Sequence, residues 1–188
     1  MYKRQIKRGA SVIICSKNCK YKNKSVAVFK TSNIRYLLSE ISSKYYKLKP
    51  KNLIAVTGTN GKTSVADLFY QILKLNKIPV ASIGTLGIKL REKIIKTNLT
   101  SPDTILLHKS LDNIKRKKID NVIIEASSHG LEQKRLEHLN LKAGIFTNFS
   151  QDHLDYHKTM KSYFDAKMHL FKNIISPKKT IIPVSYTH

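Results

Sequence analysis

Residues 53–73 tie down the fold of this chain more firmly than any other stretch. Leu53, Ile54, Ala55 and Val56 form an apolar run that reads as a buried strand. Downstream, Val65, Leu68, Phe69, Ile72 and Leu73 recur at helical spacing on one face. Between them, Gly58 through Thr63 read G-T-N-G-K-T. A strand, a glycine loop, Gly-Lys-Thr and a helix make the layout of a phosphate-binding loop. Its glycines let backbone N–H groups approach phosphate oxygens, and the helix N-terminus adds positive potential. Lys62 is expected to reach the β- and γ-phosphates and the Thr63 hydroxyl to hold Mg²⁺. The longer form of this loop would need glycine at position 56, where Val56 stands. The short form argues against an ordinary kinase or GTPase.

Strands and helices alternate after this point. Ile78 to Ile83 is predicted as a strand, and Thr104 to Lys118 as a helix with Leu107, Leu111 and Ile114 inward, opened by Ser101, Pro102 and Asp103. Val122 to Ile124 and Ala143 to Phe149 follow as strands, Thr159 to Lys172 as a helix, and Thr180 to Val184 as a further strand. Alternation of this kind implies an α/β fold, a mostly parallel sheet with helices on both faces. Upstream, 11–14 and 26–29 read as short strands. Ile34, Leu37, Leu38 and Ile41 mark a helix that Ser32 or Asn33 could cap. This αβ piece is too small to carry its own core. Residues 44–52 read as a lysine-rich linker.

The formal net charge of +23 raises a nucleic-acid reading. Lysine supplies 29 of the 35 basic residues, scattered along the whole chain, and arginine-rich clusters are missing. Compositional drift explains this better than specific nucleic-acid binding, although nonspecific polyanion binding follows from the charge alone. No apolar run approaches the ~20 residues that span a bilayer, and no signal-peptide core follows the N-terminus. Cys15 and Cys19 have no partner pair elsewhere, so a reduced, cytoplasmic chain without a zinc site is expected.

Two further strand ends carry chemistry. Glu125 follows the 122–124 strand, and ligands of open α/β sheets sit beyond such carboxyl ends. A carboxylate beside a phosphate loop can hold Mg²⁺; a helix-capping glutamate is the other reading. His129, four residues on, is weak evidence alone. Residues 148–157, from Asn148 through Asp152, His153, Asp155 and His157, follow the 143–146 run. By type, these four acidic and imidazole side chains could ligate zinc or manganese, with one or two of them facing a site.

These motifs together resemble the Mur ligases, the ATP-dependent amide ligases of peptidoglycan synthesis. The similarity is greatest to the MurE type, which adds the third peptide residue to UDP-N-acetylmuramoyl-L-alanyl-D-glutamate. It rests on 58–63, on Thr100 to Asp103, on Glu125 to Leu131 with Arg135, on 148–157, and on Ala166 and Lys167. The related folate-polyglutamate ligases have the loop G-T-N-G-K-G-S, which this chain lacks. The resemblance implies that Gly58, Thr59, Asn60, Gly61, Lys62, Thr63 and Asn148 bind ATP. Thr63 and Glu125 would share one Mg²⁺, and His153 would serve a second. Thr100, Ser101, Ser127 and Arg135 would hold the UDP-muramoyl dipeptide. Lys167 would be carbamylated and stand near the metal with Lys62 and His153 as the catalytic set. From the residues alone, Lys167 reads as a solvated helix position.

The resemblance also implies domains. Residues 1–48 would be the end of a UDP-binding first domain, and 49–188 an incomplete ATP-binding central domain. The amino-acid-binding third domain would be absent, and Ser185 to His188 need not be native sequence. A monomer is expected, with no specific nucleic acid and no membrane. The third residue is expected to be meso-diaminopimelate, although lysine stays open. On this reading the 188-residue chain binds ATP weakly and does not ligate alone. Alternatives are a non-catalytic nucleotide-binding remnant, another Mur-type ligase, or a basic nucleic-acid-binding protein with a regulatory phosphate loop.

Overall fold

A computed structural model describes residues 2–22, 25–91 and 93–183. The expectations on 184–188 lie outside the described residues. A short helix, α1 (Tyr2–Lys7), leads into the parallel pair β1 (Val12–Ser16) and β2 (Ala27–Thr31), and then into α2 (Ile34–Tyr45). Asn33 caps α2, its side chain accepting from the N–H of Tyr36 at 3.3 Å.

The main sheet uses β3 (Asn52–Thr57), β4 (Val80–Gly84), β5 (Gly87–Leu90), β6 (Lys93–Ile95), β7 (Asn121–Glu125), β8 (Leu141–Phe146) and β9 (Thr180–Ile181). Its order is β6-β5-β4-β7-β3-β8-β9. The five strands from β4 to β9 run parallel, as the alternation of elements predicts. The antiparallel edge β5–β6 was not expected. These strands are short, and their register depends on Gly87, where a Cβ would lie 2.4 Å from the Ile95 carbonyl oxygen.

The pleat explains why β3 and β7 are continuous apolar runs: both faces are covered. Leu53 and Ala55 with Val122 and Ile124 join Leu107, Leu111 and Ile114 of α4 (Thr104–Arg116) in one core. The alternate positions, Val56 and Ile123, face Val65, Ala66 and Phe69 of α3 (Lys62–Leu75) on the other side. Helix α3 is rotated from the predicted orientation. Leu68 and Ile72 are each 57% exposed, and Ala66 and Tyr70 are its buried residues. The small side chain of Ala66 lets the helix lie close to the sheet and turns those two outward.

Asp103 caps α4 as the sequence suggests. Between strands lie α5 (Ser128–Glu132) and α6 (Leu154–His157), and Thr159 caps α7 (Met160–His169). Regular helix ends at His169, short of the predicted Lys172, because the chain widens into a π turn over Leu170–Ile174. The predicted 44–52 linker is shorter than expected, because α2 runs to Tyr45 and β3 starts at Asn52, and what lies between is tied down. Leu48 and Lys51 donate their N–H groups to Asp112 and Asp120, each at 3.0 Å. Helix α2 rests on the body through hydroxyls: Ser39 Oγ donates to the Glu137 carbonyl at 2.7 Å, and Ser43 Oγ to that of His138 at 3.2 Å. Its Ile34, Leu38 and Ile41 stay exposed.

Candidate active site

The carboxyl ends of β3, β4, β7 and β8 converge, one more than the sequence announces. The 58–63 loop leaves β3 with Gly58 at φ +147° and Gly61 at φ +80°. Only glycine fits at 58, because a Cβ there would lie 1.9 Å from Thr147 Oγ1. Gly61 is the N-cap of α3, so the first amides of that helix have no intrahelical acceptor and face the loop.

Lys62 folds back onto its own loop, donating to the carbonyls of Gly58 at 3.0 Å and Thr59 at 2.7 Å. Lys167 comes from α7 and is 1% exposed. Its amine donates to the same Gly58 carbonyl at 2.6 Å and stands 4.4 Å from the centre of the Tyr163 ring. Burial, with Lys62 alongside, pushes the Lys167 amine down to about 7, against the pull of Asp152. Burial also lowers Lys62, opposed by Glu125 and Asp152. Lys167 is therefore not the solvated helix position that its residue type suggests. Two amines share one carbonyl, and neither forms an ion pair among the described residues.

Glu125, 2% exposed, ends β7. It accepts from Thr63 Oγ1 at 2.8 Å, from the Thr85 N–H at 2.9 Å and from Thr85 Oγ1 at 3.0 Å. Its close seat against β4 requires Gly84, where a Cβ would lie 1.9 Å from Glu125 Oε1. Glu125 is not a helix cap; Ser127 caps α5. One carboxylate and a threonine hydroxyl make a hard oxygen set that suits Mg²⁺, which takes its remaining ligands from phosphate and water.

Next to this lies the second polar cluster. Ser101 Oγ donates to the Glu125 carbonyl at 2.7 Å and meets Ser127 Oγ at 3.0 Å. Arg135 donates to the Ser101 carbonyl at 2.6 Å and to Gln133 Oε1 at 2.7 Å. Two clefts result. One of about 260 Å³ is lined by the 59–64 loop, Thr85, Ser128 and Lys167. The other, of about 410 Å³, is lined by Ser101, His129, Gln133 and Arg135. Thr100, Ser127 and His153 line both, so the clefts adjoin.

The 148–157 segment divides its work. His153 lines the clefts, with Asp152 Oδ2 3.5 Å from its Nε2. His157 is buried, its Nε2 2.9 Å from Ser128 Oγ. Among the described residues, no three His, Cys, Asp or Glu side chains converge as a metal cluster. Asn148 grips the phosphate loop itself: its Oδ1 accepts from the Asn60 N–H at 2.9 Å and its Nδ2 donates to the Asn60 carbonyl at 3.2 Å. Thr59 likewise gives its N–H to the Asn148 carbonyl at 2.9 Å and its hydroxyl to that of Ser150 at 3.1 Å. Sequence reasoning missed Thr85, Thr147, Tyr163 and Gln133 and undervalued His129. Thr85 was within reach, because like Glu125 it is a polar residue at the carboxyl end of a buried strand.

The family model for the Mur ligase middle domain matches residues 56–187. The chain belongs to the Mur ligase family. Among similar proteins is the UDP-N-acetylmuramoyl-L-alanyl-D-glutamate--2,6-diaminopimelate ligase of Brucella melitensis, 41% identical over 92% of this chain and 35% of its own length. The ligase of the same name from Fusobacterium nucleatum is 42% identical over 95% of this chain and 37% of its own. A solved structure of a ligase of that name superposes with a TM-score of 0.79 at 30% identity, covering 90% of this chain and 34% of that one. Folylpolyglutamate synthase of Mycobacterium tuberculosis, solved with ADP, shares the fold at a TM-score of 0.60 and 18% identity, covering 80% and 41%. This Mur ligase chain spans about a third of the length of the diaminopimelate ligases it matches. No helix among its described residues is long and apolar enough to cross a membrane.

Proposed function

We propose that this chain carries the ATP-binding centre of a diaminopimelate-adding Mur ligase. That enzyme joins the amino acid to UDP-N-acetylmuramoyl-L-alanyl-D-glutamate. One observation carries the reading: Lys62 and Thr63 line one cleft at the amino end of α3, and the Thr63 hydroxyl donates to Glu125 at 2.8 Å. An amine, free helix amides and a hydroxyl–carboxylate pair in that position suit the phosphates of ATP with Mg²⁺. The names of the similar ligases supply the substrate class.

In this reading Lys62 leaves the Gly58 and Thr59 carbonyls for the β- and γ-phosphates, and the first amides of α3 hold phosphate oxygens. Thr63 and Glu125 would hold Mg²⁺, and His153 would serve a second; the metal supplies charge neutralisation on the phosphates. Thr100, Ser101, Ser127 and Arg135, which line the adjoining cleft, would place the D-glutamate γ-carboxylate in line with the γ-phosphorus. The carboxylate oxygen bonds to phosphorus, the bond to the β–γ bridging oxygen breaks, and ADP leaves. The amine of the incoming residue then displaces phosphate from the acyl phosphate and gives up a proton. Lys62 stabilises charge on the transferring group.

Lys167 fits carbamylation, because the neutral amine that burial favours is the form that adds CO₂, releasing one proton as the carbamate forms. Residues 1–48 belong, in this reading, to a UDP-binding first domain and 49–188 to the central domain. We place the protein in the cytoplasm as a monomer without a specific nucleic-acid partner.

Calorimetric titration of ATP into the chain, with and without Mg²⁺, tests the core of this reading. Glu125→Gln should weaken Mg²⁺-dependent binding by about tenfold and leave Mg²⁺-free binding unchanged. Equal affinity in both proteins with Mg²⁺ present would remove Glu125 from the metal site. Ligation by the complete enzyme, assayed with diaminopimelate against lysine, tests the substrate.

A further inference from the structure

The phosphate loop does not set its own shape; the neighbouring strand end does. A trans peptide points its C=O and the next N–H in opposite directions, and every described peptide here is trans. The Thr59 N–H is held by the Asn148 carbonyl at 2.9 Å, so the Gly58 carbonyl faces away from β8, where Lys62 and Lys167 take it. The Asn60 N–H is held by Asn148 Oδ1 at 2.9 Å, so the Thr59 carbonyl also faces away and receives Lys62 at 2.7 Å.

At the next peptide the polarity reverses. Thr147 Oγ1 donates to the Asn60 carbonyl at 2.6 Å, and Asn148 Nδ2 donates to it at 3.2 Å. The Asn60 carbonyl therefore faces β8 and the Gly61 N–H faces the cleft that Gly61 lines. Gly61, at φ +80°, supplies the backbone freedom for the reversal. Upstream of it, carbonyls face the lysines; from Gly61 onward, amides face the phosphate position.

We propose that Thr147 and Asn148 act as a template just past the end of β8 that fixes this reversal, with Thr147, through its hydroxyl, as a positioning residue for phosphate binding. Thr147 is not among the residues that line the cleft. Its hydroxyl lies 2.6 Å from the Asn60 carbonyl and 3.3 Å from that of Thr57, and by holding the nearer one it aims the Gly61 amide. The proposal rests on the phosphate-binding reading of the loop, and its test separates the two.

The test compares the unaltered chain with Thr147→Val, which keeps the shape and loses the hydroxyl, and Thr147→Ser, which keeps the hydroxyl. Two quantities are measured: the ¹⁵N resonance of Gly61 without ligand, and the affinity for inorganic tripolyphosphate by calorimetry at about 0.15 M salt, where nonspecific attraction is screened. Thr147→Val should shift the Gly61 resonance and weaken tripolyphosphate binding about tenfold, the value of one hydrogen bond. Thr147→Ser should restore both. The template is overturned if Thr147→Val leaves the resonance in place, if it binds as tightly as the unaltered chain, or if Thr147→Ser is as impaired as Thr147→Val. If the unaltered chain binds no tripolyphosphate while Thr147→Val alone shifts the Gly61 resonance, the template stands and the phosphate-binding reading falls.

Discussion

Replacing Lys167 by methionine should stabilise the ligand-free chain, and by an amount that depends on pH. The side chain is 1% exposed, and its amine has one carbonyl and one ring face as partners. Its folded value is about 7 against an ordinary 10.5. Below pH 7 the amine is charged in both the folded and unfolded states, and the whole cost of burying that charge is present. Between 7 and 10.5 the unfolded chain keeps a proton that the folded chain has released, so the folded state gains as pH rises. Linkage puts the cost at about 5 kcal/mol at pH 6 and about 2 kcal/mol at pH 9. Methionine fills similar volume and forfeits a neutral hydrogen bond worth about 1 kcal/mol. Lys167→Met should therefore be more stable by about 4 kcal/mol at pH 6 and about 1 kcal/mol at pH 9. The measurement is urea unfolding of both proteins at pH 6, 7.5 and 9 in buffers free of CO₂. Taking the difference between the two proteins cancels the other titrating groups. A difference that stays flat from pH 6 to 9 would refute the reasoning, because it would mean that Lys167 titrates as an exposed lysine.

Two further outcomes are expected. Gly58→Ala places a Cβ 1.9 Å from Thr147 Oγ1 at φ +147°, and should cost more than about 2 kcal/mol in urea unfolding and abolish tripolyphosphate binding. His108 is fully buried, and burial, with Lys49 and His138 near it, lowers its imidazole to about 4. Its contribution is present above pH 6.5 and is lost as pH falls toward 4, a loss of about 3 kcal/mol that His108→Gln should remove from the acid-unfolding profile.

The parallel sheet was legible because its strands are buried on both faces and so appear as unbroken apolar runs ending in polar groups. That pattern located the 58–63 loop, Glu125 and the 148–157 segment. It could not locate β5–β6, which are only four and three residues long, with exposed Ile94 and Ile95 on β6 and a glycine contact across the pair. Helical spacing found α3 but not its rotation, because apolar residues occupy more of its circumference than the sheet covers. Lys167 was the hardest residue to read. Nothing in the composition of its helix marks it as buried; its burial comes from Tyr163 beneath it and from a carbonyl 109 positions earlier in the chain. The resemblance to a family singled it out, and the residues alone did not. Thr147 was overlooked for a related reason, since its role depends on which way a peptide plane faces in another loop.

The seam under α2 has a consequence for motion. Ser39 and Ser43 hold this helix to the body by donating to main-chain carbonyls, while its apolar residues look outward. Ser39 is fully buried, and its hydroxyl also lies 3.3 Å from His108 Nε2, so shifting the helix would strand buried polar groups. The seat of the amino-terminal piece is thus set by the direction of a few bonds, which a sideways slip breaks, and not by apolar area.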